Sequence, residues 1–243
     1  YALLIRKIHA LAPKGMQMPD TARGVAPVIE KLAALPLPVG INTSTIRQLV
    51  HPPRMEALAI ASSTGGPNAL LTVFGEFKGM KLRTPIFITQ HMPANFTATL
   101  ADHITKASGI DCHEAKHHEV VKPGIIYLAP GDFHMTVKRE GTQLLLELDQ
   151  NPQQNYCRPS ADPMLRSLAK VYGDKLLVAV LTGLGADGAR GAMDVVARGG
   201  IVVAQDEATS VVYGMPKAVA DAKLTSAIFP LSQIAPFLMK GVI

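Results

Sequence analysis

The chain has 243 residues, of which 48% are hydrophobic, enough for one large domain or one domain with an appendage. Tryptophan is absent and aromatic residues make up only 5%, which argues against a base-stacking surface for nucleic acid. The formal net charge of +5 comes from residues 1–55, which contain seven Lys and Arg residues and two acidic residues. Because the rest of the chain is neutral overall, we expect a basic linker and no nucleic-acid partner.

Targeting features and cysteine usage are typical of a cytoplasmic protein. No stretch approaches the roughly 18 uninterrupted apolar residues of a membrane span. Arg6, Lys7 and His9 interrupt the apolar pattern at the N-terminus, where a signal peptide would be continuous. Cys112 and Cys157 show neither disulfide nor zinc spacing. We therefore expect a cytoplasmic location and no membrane insertion.

The N-terminal part of the chain differs in composition from the rest. Residues 1–12 have apolar side chains at helical spacing, and Pro13 ends the pattern, which is typical of the last helix of an upstream domain. Residues 13–54 are rich in Pro and Gly and have the composition of a linker, with a short helix predicted at 25–35. The main domain is expected at 55–243.

From residue 55 onward, apolar strands alternate with helical patterns. Continuous apolar runs favour parallel strands covered on both faces, whereas short strands and a hairpin turn at 139–142 interrupt the middle. We predict an α/β fold: a doubly wound, mostly parallel, Rossmann-like sheet in three layers, with an antiparallel β-hairpin insertion. The predicted strands are 57–62, 85–90, 125–128, 133–138, 143–148, 175–182 and 200–205, and the predicted helices are 65–76, 94–107, 162–172, 188–198 and 215–222.

The turn after the first strand is the first candidate site. Ser62, Ser63 and Thr64 end the apolar run, and two glycines and a helical pattern follow. A side chain at such a turn lies at the carboxyl edge of the sheet, beside the free N–H groups of a helix N-terminus. Ser63 is therefore placed as a nucleophile would be, although Ala61 departs from the G-x-S-x-G pattern. The alternative is that these hydroxyl residues only cap the helix.

Two further strand ends carry the groups that a serine nucleophile needs. A serine hydroxyl requires a base within hydrogen-bond reach, and His91 directly follows the second strand. An acid must then fix the imidazole and stabilise its protonated form, and Asp187 follows the strand at 175–182. Taken singly, His91 is as well explained by a structural role and Asp187 by helix capping.

A competing interpretation comes from the loop that contains Asp187. Residues 183–188 read GLGADG, a G-x-G-x-x-G that follows a strand and opens a helix, and Asp206 ends the next strand. Alone, this pattern predicts a dinucleotide site. It comes late in the domain, however, and it leaves Ser63 and His91 unexplained. Binding of a nicotinamide nucleotide would support the dinucleotide site, and reaction with a serine-directed reagent would support the serine nucleophile.

Other clusters carry less information. Three histidines and two glutamates lie between residues 113 and 119, where a solvated loop is favoured over a metal site because no familiar ligand spacing accompanies them. Arg158 comes just before a predicted helix. Two roles stay open for it: binding a substrate carbonyl or carboxylate, and pairing with an acid of the domain.

Taken in order, these motifs resemble the chemotaxis protein-glutamate methylesterase/protein-glutamine glutaminase family over residues 56–239. The resemblance implies a hydrolase that removes methyl groups from γ-glutamyl esters on the cytoplasmic helices of chemoreceptors, and in many members deamidates receptor glutamines, for chemotaxis-type adaptation. It implies neither a cofactor nor a metal. The motifs are SSTGG at 62–66, QHMP at 90–93, APGD at 129–132 with His134, RPS at 158–160, LTGLGADG at 181–188 and QD at 205–206 with YGMP at 213–216.

Position by position, the resemblance implies a catalytic triad. Ser63 is the nucleophile, His91 the base and Asp187 its orienting acid. An oxyanion is expected to bind backbone N–H groups near the serine turn and in the 183–185 loop, and two side chains are candidate substrate contacts. The supporting residues are Thr64, Gly65, Leu184 and Gly185 for the oxyanion, and Arg158 and His134 for the substrate.

The departures from the family pattern are few. Leu184 stands where the family commonly has Met, and Ser62 stands where it often has Ala, so either Ser62 or Ser63 can be the nucleophile on this pattern alone. The family usually carries an N-terminal receiver domain, of which residues 1–12 would be the last helix. A histidine kinase is then expected as a partner through that absent domain, and a monomer is expected. A catalytically inactive domain that only binds receptors is the third alternative.

Overall fold

The predicted alternation of strands and helices is present in the computed structural model, which describes residues 52–243. The helices expected at 1–12 and 25–35, and nearly all of the 13–54 linker, lie outside the described residues. The strands are β1 (Ala57–Ser62), β2 (Ile86–Gln90), β3 (Cys112–Glu114), β4 (Ile126–Leu128), β5 (His134–Glu140), β6 (Gln143–Asp149), β7 (Leu176–Val180), β8 (Ile201–Gln205) and β9 (Ala227–Phe229). The helices are α1 (Gly66–Gly75), α2 (Ala94–Ser108), α3 (Ala161–Tyr172), α4 (Ala189–Ala197), α5 (Met215–Asp221) and α6 (Leu231–Val242).

Seven of the strands form one parallel sheet in the order β3-β4-β2-β1-β7-β8-β9. The central strand β1 pairs with β2 on one side and with β7 on the other. Strand order therefore reverses around β1, which is the position where α/β sheets open a crevice at their carboxyl edge. The predicted doubly wound sheet with an antiparallel insertion is confirmed, the insertion being the separate β5–β6 hairpin.

The two faces of the sheet bury different side chains. On one face Ala57, Ala59 and Ala61 pack beneath α3, α4, α5 and the hairpin, and on the other face Leu58 and Ile60 pack beneath α1, α2 and α6. Alanines allow the first layer to approach the central strand closely, whereas branched residues fill the opposite side. The result is three layers with β1 fully buried. No helix within 52–243 is long and apolar enough to cross a membrane.

Ile60→Ala should lower the free energy of unfolding by about 2–5 kcal/mol, because it leaves a cavity beneath α1 that the sheet cannot close. The side chain of Ile60 is fully buried in β1. Urea unfolding followed by circular dichroism measures the change. The control is Ile228→Ala on the edge strand β9, where the side chain is 45% exposed and the loss should stay below about 1 kcal/mol. Equal losses in the two variants would contradict this account of the core.

The hairpin turn differs from its predicted position. The turn was expected at 139–142, but Arg139 and Glu140 continue β5, and Glu140 pairs directly with Gln143. Only Gly141 and Thr142 connect the strands, and Gly141 has φ 58°, which a two-residue turn requires and glycine adopts without strain. The predicted turn included Arg139 and Glu140, which are charged. At the exposed end of a hairpin, however, charged side chains can also belong to the strands.

Three elements have no counterpart among the predicted ones. Strands β3 and β9 have only three residues each, too few for a periodic pattern to appear. Helix α6 contains Pro236, which reads as a helix breaker. Its buried residues Ile234, Phe237 and Leu238 do follow helical spacing and could have identified it.

Candidate active site

Strand register brings Ser63 and His91 to the same edge of the sheet. Ser62 lies opposite Gln90 in the parallel pair β1–β2, so the next residue of each strand leaves the sheet side by side. The N–H of His91 donates to the carbonyl oxygen of Ser62 at 3.1 Å and continues this alignment beyond the ladder. A hydroxyl and an imidazole that are 28 residues apart in sequence therefore start from neighbouring backbone positions.

The backbone at Ser63 forms a tight turn into α1. The N–H of Gly66 donates to the carbonyl of Ser63 at 2.7 Å, and Gly65 has φ 80° and ψ −8°. These angles are those of the third residue of a type II turn, where a side chain would be strained. A Cβ on Gly66 would lie 2.0 Å from Oε1 of Gln90, so the close approach also requires glycine there.

Gln90 supports this turn from the neighbouring strand. Its Nε2 donates to the carbonyl oxygens of Ser63 and His91, both at 3.0 Å, and its Oε1 accepts the Ser62 hydroxyl at 2.7 Å. The side chain is 2% exposed. A single buried amide thus connects the backbone of both predicted catalytic positions. This role of Gln90 was not predicted from the sequence. Its position directly before His91 was the only feature that could have indicated it.

The two adjacent serines have different environments. Ser62 is fully buried and its hydroxyl is hydrogen-bonded to Gln90. Ser63 is partly exposed, and its hydroxyl forms no hydrogen bond with any residue of the described part of the chain. A nucleophile must be free to reach a substrate, so this difference favours Ser63 over Ser62.

Two backbone donors beside Ser63 are also unpaired. Among residues 52–243, neither the Thr64 N–H nor the Gly65 N–H has a hydrogen-bond partner, while the carbonyl of Thr64 accepts the Thr182 hydroxyl at 2.9 Å. Unpaired N–H groups next to a nucleophile are suited to stabilise an oxyanion. The Thr182 contact holds the turn from β7's side of the sheet.

His91 is bound to Asp187, which comes from the loop after β7. The distance from His91 Nε2 to Asp187 Oδ2 is 2.6 Å. Asp187 is 1% exposed, and it accepts hydrogen bonds from the Ser160 hydroxyl and the Ala161 N–H, both at 2.6 Å. The first residues of α3 thus supply donors to this carboxylate, as helix N-termini do for anions. The sequence analysis did not identify Ser160 as a partner.

This pair shifts the titration of both groups. Burial alone would lower the pKa of His91, but hydrogen bonds with Asp187 and Cys157 outweigh it and raise the pKa to about 9. Burial would raise the pKa of Asp187, but the His91 contact and the donors of Ser160 and Ala161 hold it below its ordinary value. At neutral pH the two therefore form an imidazolium–carboxylate pair.

The second nitrogen of His91 faces a cysteine. The distance from Cys157 Sγ to His91 Nδ1 is 3.4 Å. Both residues line an open cleft of about 370 Å³, together with Asp132, Tyr156 and Arg158. Cys157 was considered in the sequence only for disulfide and metal spacing, so this contact is new. With Nε2 engaged by Asp187, Nδ1 is the nitrogen left for proton transfer.

Arg158 and His134 contact protein groups. Arg158 donates to the carbonyls of Gln150 and Asn151 at 2.9 and 3.2 Å and lies 3.5 Å from Asp132. Although Arg158 borders the cleft, its substrate contact stays a prediction. His134 is 1% exposed, with Nδ1 accepting from the Ser160 N–H and Nε2 facing the Pro152 carbonyl. The ring is thus held by backbone groups outside the hairpin, and the contact of His134 with substrate stays a prediction.

The glycine-rich loop after β7 packs against protein groups. A Cβ on Gly183 would lie 2.4 Å from Met215 Sδ and 2.8 Å from Ser63 Cβ. Leu184 is 51% exposed next to these contacts, and Gly185 has φ 87°. The close approach that Gly183 permits is thus used by the serine turn and α5. This arrangement argues against a pyrophosphate in the same place.

Asp206, the acid of the dinucleotide interpretation, is also engaged within the protein. Its Oδ1 accepts hydrogen bonds from the N–H and the hydroxyl of Thr209, at 3.0 and 2.6 Å. These bonds form a local turn after β8, of the kind that Asp commonly makes. This local role accounts for Asp206 without a ribose contact.

The histidine cluster near residue 113 does not form a metal site within the part of the chain described. His113 lies 2.8 Å from Glu119 and 3.4 Å from Asp111, and His117 accepts the Leu148 N–H at 3.0 Å. No group of three or more His, Cys, Asp or Glu side chains among residues 52–243 is arranged to hold a metal. Of the solvated loop expected here, only residues 115–119 form a loop, because His113 and Glu114 belong to β3.

Comparison with known proteins places the chain in a family. The family model for CheB methylesterase matches residues 58–238. A protein-glutamate methylesterase/protein-glutamine glutaminase 1 from Paramagnetospirillum magneticum is 55% identical over 76% of this chain and 49% of that protein. One of the same name from Rhodospirillum rubrum is 43% identical over 98% of this chain and 64% of that protein. The crystal structure of the Thermotoga maritima CheB methylesterase catalytic domain superposes with a TM-score of 0.74 at 37% identity, covering 76% of this chain and 98% of that one. The chain thus spans only about half to two thirds of these curated relatives.

Proposed function

Because the chain belongs to the CheB methylesterase family, we propose that it hydrolyses γ-glutamyl methyl esters on chemoreceptors and also deamidates receptor glutamines. The observation that carries the proposal is the 2.6 Å contact between His91 and Asp187, made beside an unbonded Ser63 at the carboxyl edge of the sheet. Hydroxyl, imidazole and carboxylate are the three groups that acyl transfer to water requires. No cofactor enters this chemistry.

The proposed reaction begins with proton transfer to His91 Nδ1, since Nε2 is held by Asp187. As the proton leaves, Ser63 Oγ bonds to the ester carbonyl carbon, and the oxyanion accepts hydrogen bonds from the N–H groups of Thr64 and Gly65. The 183–185 loop, with Leu184 and Gly185, is a further source of donors. Collapse of the intermediate expels methanol, which takes the proton from His91.

Water completes the cycle by the same route. His91 accepts a proton from water as its oxygen attacks the acyl-serine, and the return of that proton to Ser63 frees glutamate. For a glutamine side chain the leaving group is ammonia, and the remaining steps are identical. Asp187 stays ionised throughout and stabilises the imidazolium that forms twice.

The biological setting forms part of the proposal. Residues 55–243 act as the catalytic domain and residues 13–54 as a linker. A histidine kinase would control the enzyme through a receiver domain. The protein would act in the cytoplasm, as a monomer, in chemotaxis-type adaptation.

The test is methanol release from a methylated chemoreceptor fragment, with the unmethylated fragment as control. We expect release only from the methylated form, and a mass increase of about 1 Da per deamidated glutamine on an amidated receptor fragment. Nicotinamide nucleotides should not bind. Tight receptor binding without methanol or ammonia release would contradict the enzyme and support the binding-only alternative.

The pH dependence should follow the titration of His91. Only the neutral imidazole accepts the serine proton, so kcat/KM should rise with pH along a limb centred near 9, the raised pKa of His91, and level off above it. At pH 7 the neutral fraction would be on the order of 1%. Because the Cys157 hydrogen bond raises that pKa, Cys157→Ala should move the rising limb to lower pH and increase activity at pH 7.

Methanol release measured from pH 6 to 10 checks this expectation. Cys112→Ala is the matched control, since Cys112 is a buried thiol on β3 that makes no contact with His91. Its profile should coincide with that of the parent protein. A limb centred near pH 6.5 in the parent, or one that Cys157→Ala leaves in place, would contradict the assigned contacts.

A further inference from the structure

Two buried carboxylates lie beside the proposed triad, and one side-chain amide joins them. Asn155 Nδ2 donates to Asp187 Oδ1 at 2.7 Å and to Asp162 Oδ2 at 2.8 Å. Both acids are 1% exposed. An amide NH₂ has two hydrogens, so a single side chain can satisfy both carboxylates at once. Without it, two like charges would share a site from which water is largely excluded.

The loop that carries Asn155 is built to direct this amide inward. Asn155 has φ 52° and Tyr156 has φ 61°, both in the left-handed region that residues other than glycine rarely adopt. Two backbone hydrogen bonds between Gln154 and Cys157, at 3.2 and 2.9 Å, close the loop around them. Consecutive residues in this conformation are unfavourable unless the surrounding contacts require them. The contacts that require this conformation are the two hydrogen bonds that Asn155 Nδ2 donates to Asp162 and Asp187.

The charged groups around the two acids differ. Asp187 faces His91 and the N-terminal donors of α3, whereas Asp162 faces the Gly191 N–H at 2.7 Å and, more distantly, Arg166, which also lies 3.5 Å from Asp194. Burial and then the charge of Asp187 raise the pKa of Asp162 to about 6, while the pKa of Asp187 is lowered. Asn155 thus lies between one carboxylate that readily takes a proton and one that must stay ionised.

We propose that Asn155 is a positioning residue of the esterase: its amide keeps Asp187 ionised and directed at His91 by separating it from Asp162. The inference rests on the proposed function of Ser63, His91 and Asp187. Asn155 does not touch the reacting atoms and acts only through Asp187. When the amide is absent, Asp187 Oδ1 loses its donor at 2.7 Å and the bridge to the Asp162 carboxylate is gone, so the negative charge of Asp187 is less stabilised and the group is directed less firmly at His91.

Asn155→Ala should therefore lower kcat roughly 10- to 100-fold at pH 7, the range expected for one hydrogen bond to a charged group, with KM little changed. The loss should shrink as the pH rises, because a proton taken up by the less stabilised Asp187 carboxylate then dissociates. A residue that only supports the fold would produce a loss independent of pH. Asn151→Ala, an exposed asparagine on the same segment, is the matched control and should behave as the parent.

A second substitution tests the role of Asp162. In the double variant Asn155→Ala with Asp162→Asn, the like charge beside Asp187 is removed, so activity at pH 7 should recover at least several-fold. If circular dichroism shows that Asn155→Ala does not fold, Asn155→Asp takes its place. That variant keeps the side-chain shape but replaces the donor with a third acid, and its kcat should fall at least as far.

Ser63→Ala, measured in parallel, separates the two levels of inference. Loss of activity in Ser63→Ala together with a parent-like pH profile in Asn155→Ala would overturn the role of Asn155 and leave the esterase standing. A uniform, pH-independent loss that Asp162→Asn does not relieve would overturn it as well. Full activity in Ser63→Ala would overturn the proposed triad of Ser63, His91 and Asp187, and the role of Asn155 with it.

Discussion

Ser63→Ala is expected to reduce methanol release from methylated receptor by roughly 10⁴- to 10⁶-fold, to the level of an inert protein. The reason is chemical: without Oγ no acyl-enzyme forms, and the turn donors alone cannot supply a nucleophile. The folded state should be nearly unaffected, because this hydroxyl has no hydrogen bond within residues 52–243. Substrate binding should persist, so the loss should appear in kcat.

The neighbouring serine provides the matched control. Ser62→Ala removes a fully buried hydroxyl that is bonded to Gln90 Oε1, so it should lower stability by about 1–3 kcal/mol and leave most of the activity. Thermal unfolding and methanol release measured on both variants separate the two effects. An active Ser63→Ala and an inactive Ser62→Ala would identify Ser62 as the nucleophile and overturn the assignment made here.

Asp187→Asn should lower kcat by about 10⁴-fold, the effect expected when the orienting acid of a triad loses its charge. The neutral amide of the variant cannot stabilise imidazolium. Its NH₂ group would also face donors, because Ser160 and Ala161 donate hydrogen bonds to the carboxylate of the parent protein. The pKa of His91, which Asp187 raises, should fall, so the residual activity should reach its plateau at lower pH than in the parent.

Asp206→Asn is the appropriate comparison for Asp187→Asn. Both acids follow strands of the sheet, but the carboxylate of Asp206 accepts hydrogen bonds only from Thr209 within residues 52–243. Its replacement should change kcat less than about threefold. Methanol release across pH 6–10 reports both variants. Equal losses, or an unchanged pH limb in Asp187→Asn, would contradict the assignment of Asp187 as the partner of His91.

Element type was determined locally, by apolar runs and helical spacing. The run at 57–62 forms β1 as predicted, and the patterns at 94–107 and 215–222 form α2 and α5 to within one residue at each end. The approach of Ser63 to His91 also followed from sequence, because polar residues that end neighbouring parallel strands must meet at one edge. The parallel register of β1 and β2 gives the two residues neighbouring backbone positions at that edge.

What the sequence could not determine depends on contacts between distant segments. Only the folded chain shows that Nε2 of His91 faces Asp187 and that Cys157 faces the other nitrogen. The same is true of Asn155, whose amide bridges acids 7 and 32 residues away, and of the burial of His134. The physical reason is that hydrophobic periodicity is a property of adjacent residues, whereas the direction and charge state of a buried polar group are set by whichever donors and acceptors the tertiary structure brings within about 3 Å.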